Sequence, residues 1–155
     1  MQVVDTTGAV LKGMGFGFPT RFTDDGVPEL PQDPTTLSDE DVSQLYFVFV
    51  GWLAYAESEY WKAATEYKTI EARLNRVRAR VMAGEVKGAT VTAKKAAAAL
   101  DPQVMDSEER LLAAEILRDA LDVVCRRYDR FANAMSREMS RRGGKGSARA
   151  SRWSA

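Results

Sequence analysis

The sequence predicts an all-α chain: a long antiparallel helical hairpin, coiled-coil-like, that assembles into an oligomeric helical bundle or ring and carries extended N- and C-terminal arms. Three observations carry this expectation. From Val42 to Val81 apolar residues recur at alternating steps of four and three: Val42, Tyr46, Phe49, Leu53, Ala56, Tyr60, Ala63, Tyr67, Ile70, Leu74, Val77, Val81. A period of 3.5 held that long is the mark of a helix supercoiled against other helices, and at a rise of about 1.5 Å per residue the rod is roughly 60 Å long. A second seam, Ala114, Leu117, Leu121, Val124, Tyr128, Phe131 and Met135, repeats the spacing. The glycine-bracketed stretch Gly84-Glu85-Val86-Lys87-Gly88 separates the two, and long helices joined by a short region pack antiparallel.

Residues 1–36 hold glycines at 8, 13, 15, 17 and 26 and prolines at 19, 28, 31 and 34 without sustained periodicity, so they read as an extended arm. Gly13-Met14-Gly15-Phe16-Gly17 has the look of a phosphate-cradling glycine loop, but no strand precedes it and no helix follows at once, which argues against that use. Phe16, Phe18 and Phe22 are instead candidate anchors for a partner. The domain proper, 37–142, opens with Ser38 as N-cap, Asp41 as its capping-box partner and Leu37 with Val42 as hydrophobic staple. Its expected helices are 38–83, a short Ala-rich 92–100, and 102–142, the last opened by Asp101 as N-cap with Pro102 at the first helical position. Residues 143–155 read as a basic flexible tail.

At Leu45 to Tyr55 the helix is apolar all round, because Phe47, Val48, Val50 and Trp52 fall off the seam. One hairpin partner covers one face only. The expected oligomer interface is therefore Phe47, Phe49, Val50, Trp52 and Leu53 with Tyr128, Phe131 and Met135. The alternative is that the N-terminal arm folds back and covers this segment within one chain.

Chemistry is sparse. The 155 residues, 45% of them hydrophobic and 28% charged, fit one helix-rich domain; they include no histidine and one cysteine, Cys125. That removes the commonest general base and metal ligand and leaves no zinc spacing, so no metal, no cofactor and no enzyme activity are expected. The lone cysteine and the lack of an N-terminal signal pattern point to a cytoplasmic compartment. The most apolar run, Leu45 to Ala56, is twelve residues, against about twenty for a membrane span.

Charge is balanced at 22 basic and 22 acidic residues but unevenly placed: residues 1–45 carry two bases against eight acids, and residues 136–155 carry six against one. Arg73, Arg76, Arg78 and Arg80 close the first long helix, followed by Lys87, Lys94 and Lys95; Arg141, Arg142, Lys145, Arg149 and Arg152 run into the tail beside Trp153. Basic residues in a row neutralise phosphates without reading sequence, so these are the candidate nucleic-acid-binding residues, with single-stranded DNA or another polyanion as ligand. Trp153 is equally a candidate docking motif for another protein.

The capped Tyr/Trp-rich helix, the basic end ARLNRVRAR, the break, the segment TAKKAAAALDPQV and the helix LLAAEILRDALDVVCRRYDRFANAMSRE together resemble the small UvsY-like recombination mediators of tailed phages over residues 38–142. The resemblance implies an oligomeric helical-hairpin ring that binds single-stranded DNA and helps load a RecA-type recombinase. It implies DNA contact by Arg73, Arg76, Arg78, Arg80 and Lys87, and oligomer formation by the C-terminal part of the second helix. The arm of residues 1–36 and the tail after Arg142 depart from the family's pattern. A second expectation is a virion structural, assembly or adaptor protein, whose partners are phage structural proteins and whose arms are ordered by neighbours. The protein would then sit in the virion rather than in the host cytoplasm.

Overall fold

The computed structural model describes residues 2–21, 26, 28–84 and 90–150, with side chains described for 4–21, 26, 28–84 and 90–143. The order is α1 (Gln2–Gly13), a 3₁₀ turn (Pro34–Thr36), α2 (Asp39–Gly84), α3 (Val91–Ala99) and α4 (Pro102–Ala150), with no strand among the described residues. The fold is the all-α helical hairpin that the two seams predict.

Its helix boundaries are set by local chemistry. The Asp41 N–H donates to Ser38 Oγ at 3.0 Å and the Ser38 N–H to Asp41 Oδ2 at 3.3 Å, the reciprocal pair of a capping box. Thr90 caps α3 by accepting from the Ala93 N–H at 3.3 Å. Asp101 Oδ1 accepts from the N–H groups of Gln103 and Val104 at 2.8 and 3.2 Å, ahead of Pro102, which has no N–H to satisfy. Asp101→Ala should therefore cost about 1 kcal/mol, read as a lower midpoint in thermal unfolding followed by circular dichroism. An unchanged midpoint would mean that the cap is dispensable.

Both terminal arms depart from the sequence expectation. Residues 2–13, expected to be extended, form α1, because Val4, Thr7, Gly8 and Leu11 recur at helical spacing and supply one half-buried face. The glycine-rich stretch after it is a helix stop. The Phe16 N–H donates to the Leu11 carbonyl at 2.9 Å and the Gly15 N–H to the Lys12 carbonyl at 3.0 Å, with Gly15 at φ +92°. That is a Schellman cap, and its left-handed position is why glycine stands at 15. At the other end α4 runs through Gly143 to Ala150 instead of ending near Arg142, at a cost of about 1 kcal/mol for each glycine it carries.

Two compact units divide the chain. Unit 1 comprises Met1–Gly17 and Glu59–Leu121; unit 2 comprises Phe18–Ser58 and Asp122–Ala155. In unit 2 the first part of α2 meets the second part of α4 around Val42, Phe49, Ala132 and Met135, with Leu30, Leu37, Leu45, Tyr46, Phe131, Ala134 and Met139 packed against them. The Phe49 and Phe131 rings meet edge to face at 5.2 Å, and Tyr128 lies 6.1 Å from Phe131 and 6.5 Å from Trp52. In unit 1 Leu74 of α2, Ala98 of α3 and Val104 of α4 are buried.

The seam of α2 is as read: all twelve of its positions from Val42 to Val81 are buried or half-buried. The seam of α4 shifts at one place. Leu117 is 56% exposed, and Arg118 turns inward with its guanidinium 4.4 Å from the Tyr67 ring centroid. A cation over an aromatic face keeps its attraction while its stem covers apolar surface, so it competes with leucine for the inward position.

Candidate nucleic-acid interface

The basic residues singled out by the sequence separate into three groups. Arg73, Arg76 and Arg80 lie at steps of three and four, so they form one exposed stripe along the end of α2. Arg76 Nε donates to the Ala72 carbonyl at 3.2 Å, which holds its base against the helix; Arg73 and Arg80 meet no ion-pair partner among the described residues. Beside the stripe lies a groove of about 400 Å³ between α2 and α4 of unit 1, lined by Glu66, Ile70 and Arg73 from one helix and by Ser107, Arg110, Ala113, Ala114 and Leu117 from the other. The floor is apolar, and its rim carries Arg73 with Glu66 on one helix and, on the other, Arg110, which is paired with Asp106 at 3.1 Å. The exposure of Leu117, a departure from the expected seam, is what makes that floor.

Arg78 belongs to the second group. It points to the other side of α2 and pairs with Glu108 at 2.5 Å, in a smaller groove of about 320 Å³ shared with Met82, Lys95, Ala98 and Ala99. A guanidinium already bonded to a carboxylate contributes less to a phosphate, so Arg78 leaves the stripe. On α3 Lys95 is exposed and Lys94 half-buried. Lys87 lies outside the described residues, as do Arg152 and Trp153, and the side chains of Lys145 and Arg149 are likewise outside.

Arg141 and Arg142 are the third group, and here the structure gives them another task. Both converge on Glu138, which is 7% exposed: Arg141 Nε and Arg142 Nε donate to its two oxygens at 2.7 and 2.6 Å. Arg142 also donates to Asp39 Oδ1 at 2.6 Å and to the Pro34 carbonyl at 3.0 Å. One side chain thus joins α4, the start of α2 and the 3₁₀ turn of unit 2. These two arginines are structural, because a carboxylate this covered needs fixed cations to stay charged.

The bonds from Arg141 and then Arg142 hold the Glu138 carboxyl at about 2, well below its ordinary value of 4.5. A carboxylate whose folded value is depressed stabilises the fold fully above its ordinary value. That contribution is lost as pH falls from about 4.5 toward about 2. Acid melts of the wild type should therefore lose midpoint faster across this window than melts of Glu138→Gln, which lacks the titrating group. Parallel curves would overturn the assignment.

The residues expected at an oligomer interface are mostly buried within the chain. Phe49 and Met135 are 0% exposed and Trp52 is 7%. Leu53, Tyr128 and Phe131 are half-buried, which leaves Phe47 and Val50 exposed. The cover comes from unit 2 itself: Leu30 and Leu37 pack on the core, and the Arg21 guanidinium lies 5.9 Å from the Trp52 ring centroid. Among the described residues Trp52 Nε1 has no hydrogen-bond partner, and the ring offers an apolar and cation-accepting face. Leu30 and Arg21 of the N-terminal arm thus fold back on part of this segment, while Phe47 and Val50 stay uncovered. Of the aromatic anchors, Phe16 is exposed, Phe18 half-buried and Phe22 outside the described residues.

Burial, with the negative charges of Glu57 and Asp122, pushes the Cys125 thiol up, so it is protonated at neutral pH. Among the described residues no cluster of His, Cys, Asp and Glu could hold a metal ion, and no helix is long and apolar enough to cross a membrane. Comparison with protein-family models, curated proteins and solved structures finds no match to this chain.

Proposed function

We propose that the protein is a non-enzymatic, homo-oligomeric binder of single-stranded nucleic acid, acting as a recombination mediator that helps place a RecA-type recombinase on DNA in the cytoplasm of a phage-infected cell. The observation that carries the reading is the exposed stripe of Arg73, Arg76 and Arg80 beside an apolar groove. Guanidinium groups in a row take successive phosphates, and the apolar floor offers an unpaired base a surface that a duplex cannot reach. The pattern resemblance over residues 38–142 supports the mediator role.

Binding of a labelled single-stranded oligonucleotide, followed by fluorescence anisotropy, should be independent of base sequence and fall steeply between 50 and 200 mM salt, because each phosphate contact releases counterions. A protein that ignores the oligonucleotide at low salt does not have this function. The second reading, an assembly protein of the virion, is favoured by Met14 and Phe16, 67% and 66% exposed at the end of α1. Recovery of the protein in purified particles rather than with nucleic acid would select it.

A further inference from the structure

The part of α4 that belongs to unit 2 carries an outer stripe of arginines that nothing else in the chain answers. Arg127, Arg130 and Arg137 are exposed and have no ion-pair partner among the described residues, while every acid between Asp122 and Arg142 is already engaged. Asp122 pairs with Arg126 at 2.5 Å, Asp129 Oδ1 accepts from Asn133 Nδ2 at 3.0 Å, and Glu138 takes Arg141 and Arg142. Spacings of three and seven put the three unpaired arginines on one side of the helix. At the helical rise they span about 15 Å, the length of several nucleotides of a strand.

What surrounds these charges narrows the partner. From Arg126 to Gly143 every exposed residue is an arginine, Asp129, Asn133, Ser140 or Gly143, so no apolar side chain is offered to solvent. A protein partner needs an apolar centre to bury, and an unpaired base needs an apolar or aromatic surface to stack on. The stripe has neither. It has guanidinium forks in a row, and their planar geometry matches phosphate.

We propose that Arg127, Arg130 and Arg137 form a second nucleic-acid surface, on unit 2, which holds the sugar–phosphate backbone alone and therefore accepts a duplex. The proposal rests on the reading above in taking nucleic acid as the ligand, and goes beyond it in place and in strand form. A duplex turns its phosphates outward and its bases inward, so contact with the backbone requires no opening of the strands. The α2 stripe differs, because the groove beside it has an apolar floor that only an unpaired base can use.

Fluorescence anisotropy of the full chain with a labelled blunt duplex, and with the matching single strand, tests the surface. The wild type should bind the duplex at low salt. Replacing Arg127, Arg130 and Arg137 together by Ala should weaken duplex binding at least about tenfold and lower the slope of log affinity against log salt by about 2 to 3, since each duplex contact contributes roughly 0.9. Replacing the same three by Lys should keep most of that slope, because the charge is retained. The Ala replacement of Arg73, Arg76 and Arg80 removes equal charge and should leave duplex affinity within about twofold. All these positions are exposed, so circular dichroism should report unchanged helix content. A wild type that ignores duplex, an α4 variant that binds it as wild type does, or an α2 variant that loses it equally would each overturn the proposal. Polyglutamate that competes as well as unlabelled duplex would assign the stripe to an acidic protein and overturn it too. The two readings fail separately. Single-strand binding without duplex binding sinks the α4 surface alone, and duplex binding through α4 with single-strand binding indifferent to Arg73, Arg76 and Arg80 sinks the α2 stripe alone.

Discussion

Phe49→Ala is expected to cost about 3–5 kcal/mol, a large part of the 5–15 kcal/mol that holds an ordinary domain together. Phe49 is 0% exposed, packs edge to face on Phe131 and touches the cluster of Val42, Ala132 and Met135. Removing the ring deletes its transfer energy and leaves a cavity that two rigid helices cannot close. The matched control is Phe47→Ala, two residues earlier and 65% exposed, which should stay within about 0.5 kcal/mol. Urea unfolding of both variants decides where the apolar stretch from Leu45 to Tyr55 is buried. If Phe47→Ala proves as costly as Phe49→Ala and the cost depends on protein concentration, this stretch is buried between chains, as its all-round apolarity suggests. If Phe49→Ala alone is costly, unit 2 buries it within one chain.

Replacing Arg73, Arg76 and Arg80 together by Ala is expected to weaken single-strand binding by about tenfold or more at moderate salt and to lower the slope of log affinity against log salt by about 2, since each single-strand phosphate contact contributes roughly 0.7. All three are exposed and lie off the seam, so the melting midpoint should hardly move. Arg142→Ala should behave in the opposite way. It removes the guanidinium that joins Glu138, Asp39 and the Pro34 carbonyl, so it should lower the midpoint and leave the salt slope alone. The pair of variants separates arginines that face solvent from arginines that hold the fold. Equal effects of both on the salt slope would return Arg142 to the binding surface and weaken the case for the stripe.

What was legible in the chain was local. Ser38 with Asp41, and Asp101 ahead of Pro102, mark helix starts because a cap is made by residues two or three apart, and such chemistry needs no knowledge of the fold. The α2 seam was legible for a similar reason, since its period forces one side of the helix inward whatever lies opposite. The arms were less legible. Gly8 and Gly13 lower helix propensity and hid α1, whose half-buried face of Val4, Thr7, Gly8 and Leu11 offsets that weakness. In α4 the choice between Leu117 and Arg118 turned on Tyr67, which is distant in sequence.

The candidate site shows the same division. Residue type and clustering identified the arginines at the end of α2, and helical spacing put Arg73, Arg76 and Arg80 on one side. That Arg78 belongs to Glu108, and Arg141 and Arg142 to Glu138, depended on packing between segments far apart in the chain. Arg110, which lines the groove, carried no signal of its own, because an arginine on a charged amphipathic helix has ordinary uses at any exposed position, and Leu117 had its signal as an inward seam residue, which packing overrode.

The sequence by itself determined the helical hairpin, its caps, the inward side of α2 and the concentration of positive charge at one helix end, all of which follow from periodicity and near-neighbour chemistry. The tertiary structure alone decided that residues around Leu30 and Leu37 cover the aromatic stretch of α2, that Glu138 takes two arginines into the fold, and that the outer stripe of α4 is left bare. Those outcomes depend on competition between distant groups for the same buried space. A period says which residues turn away from water, and only packing says what they turn toward.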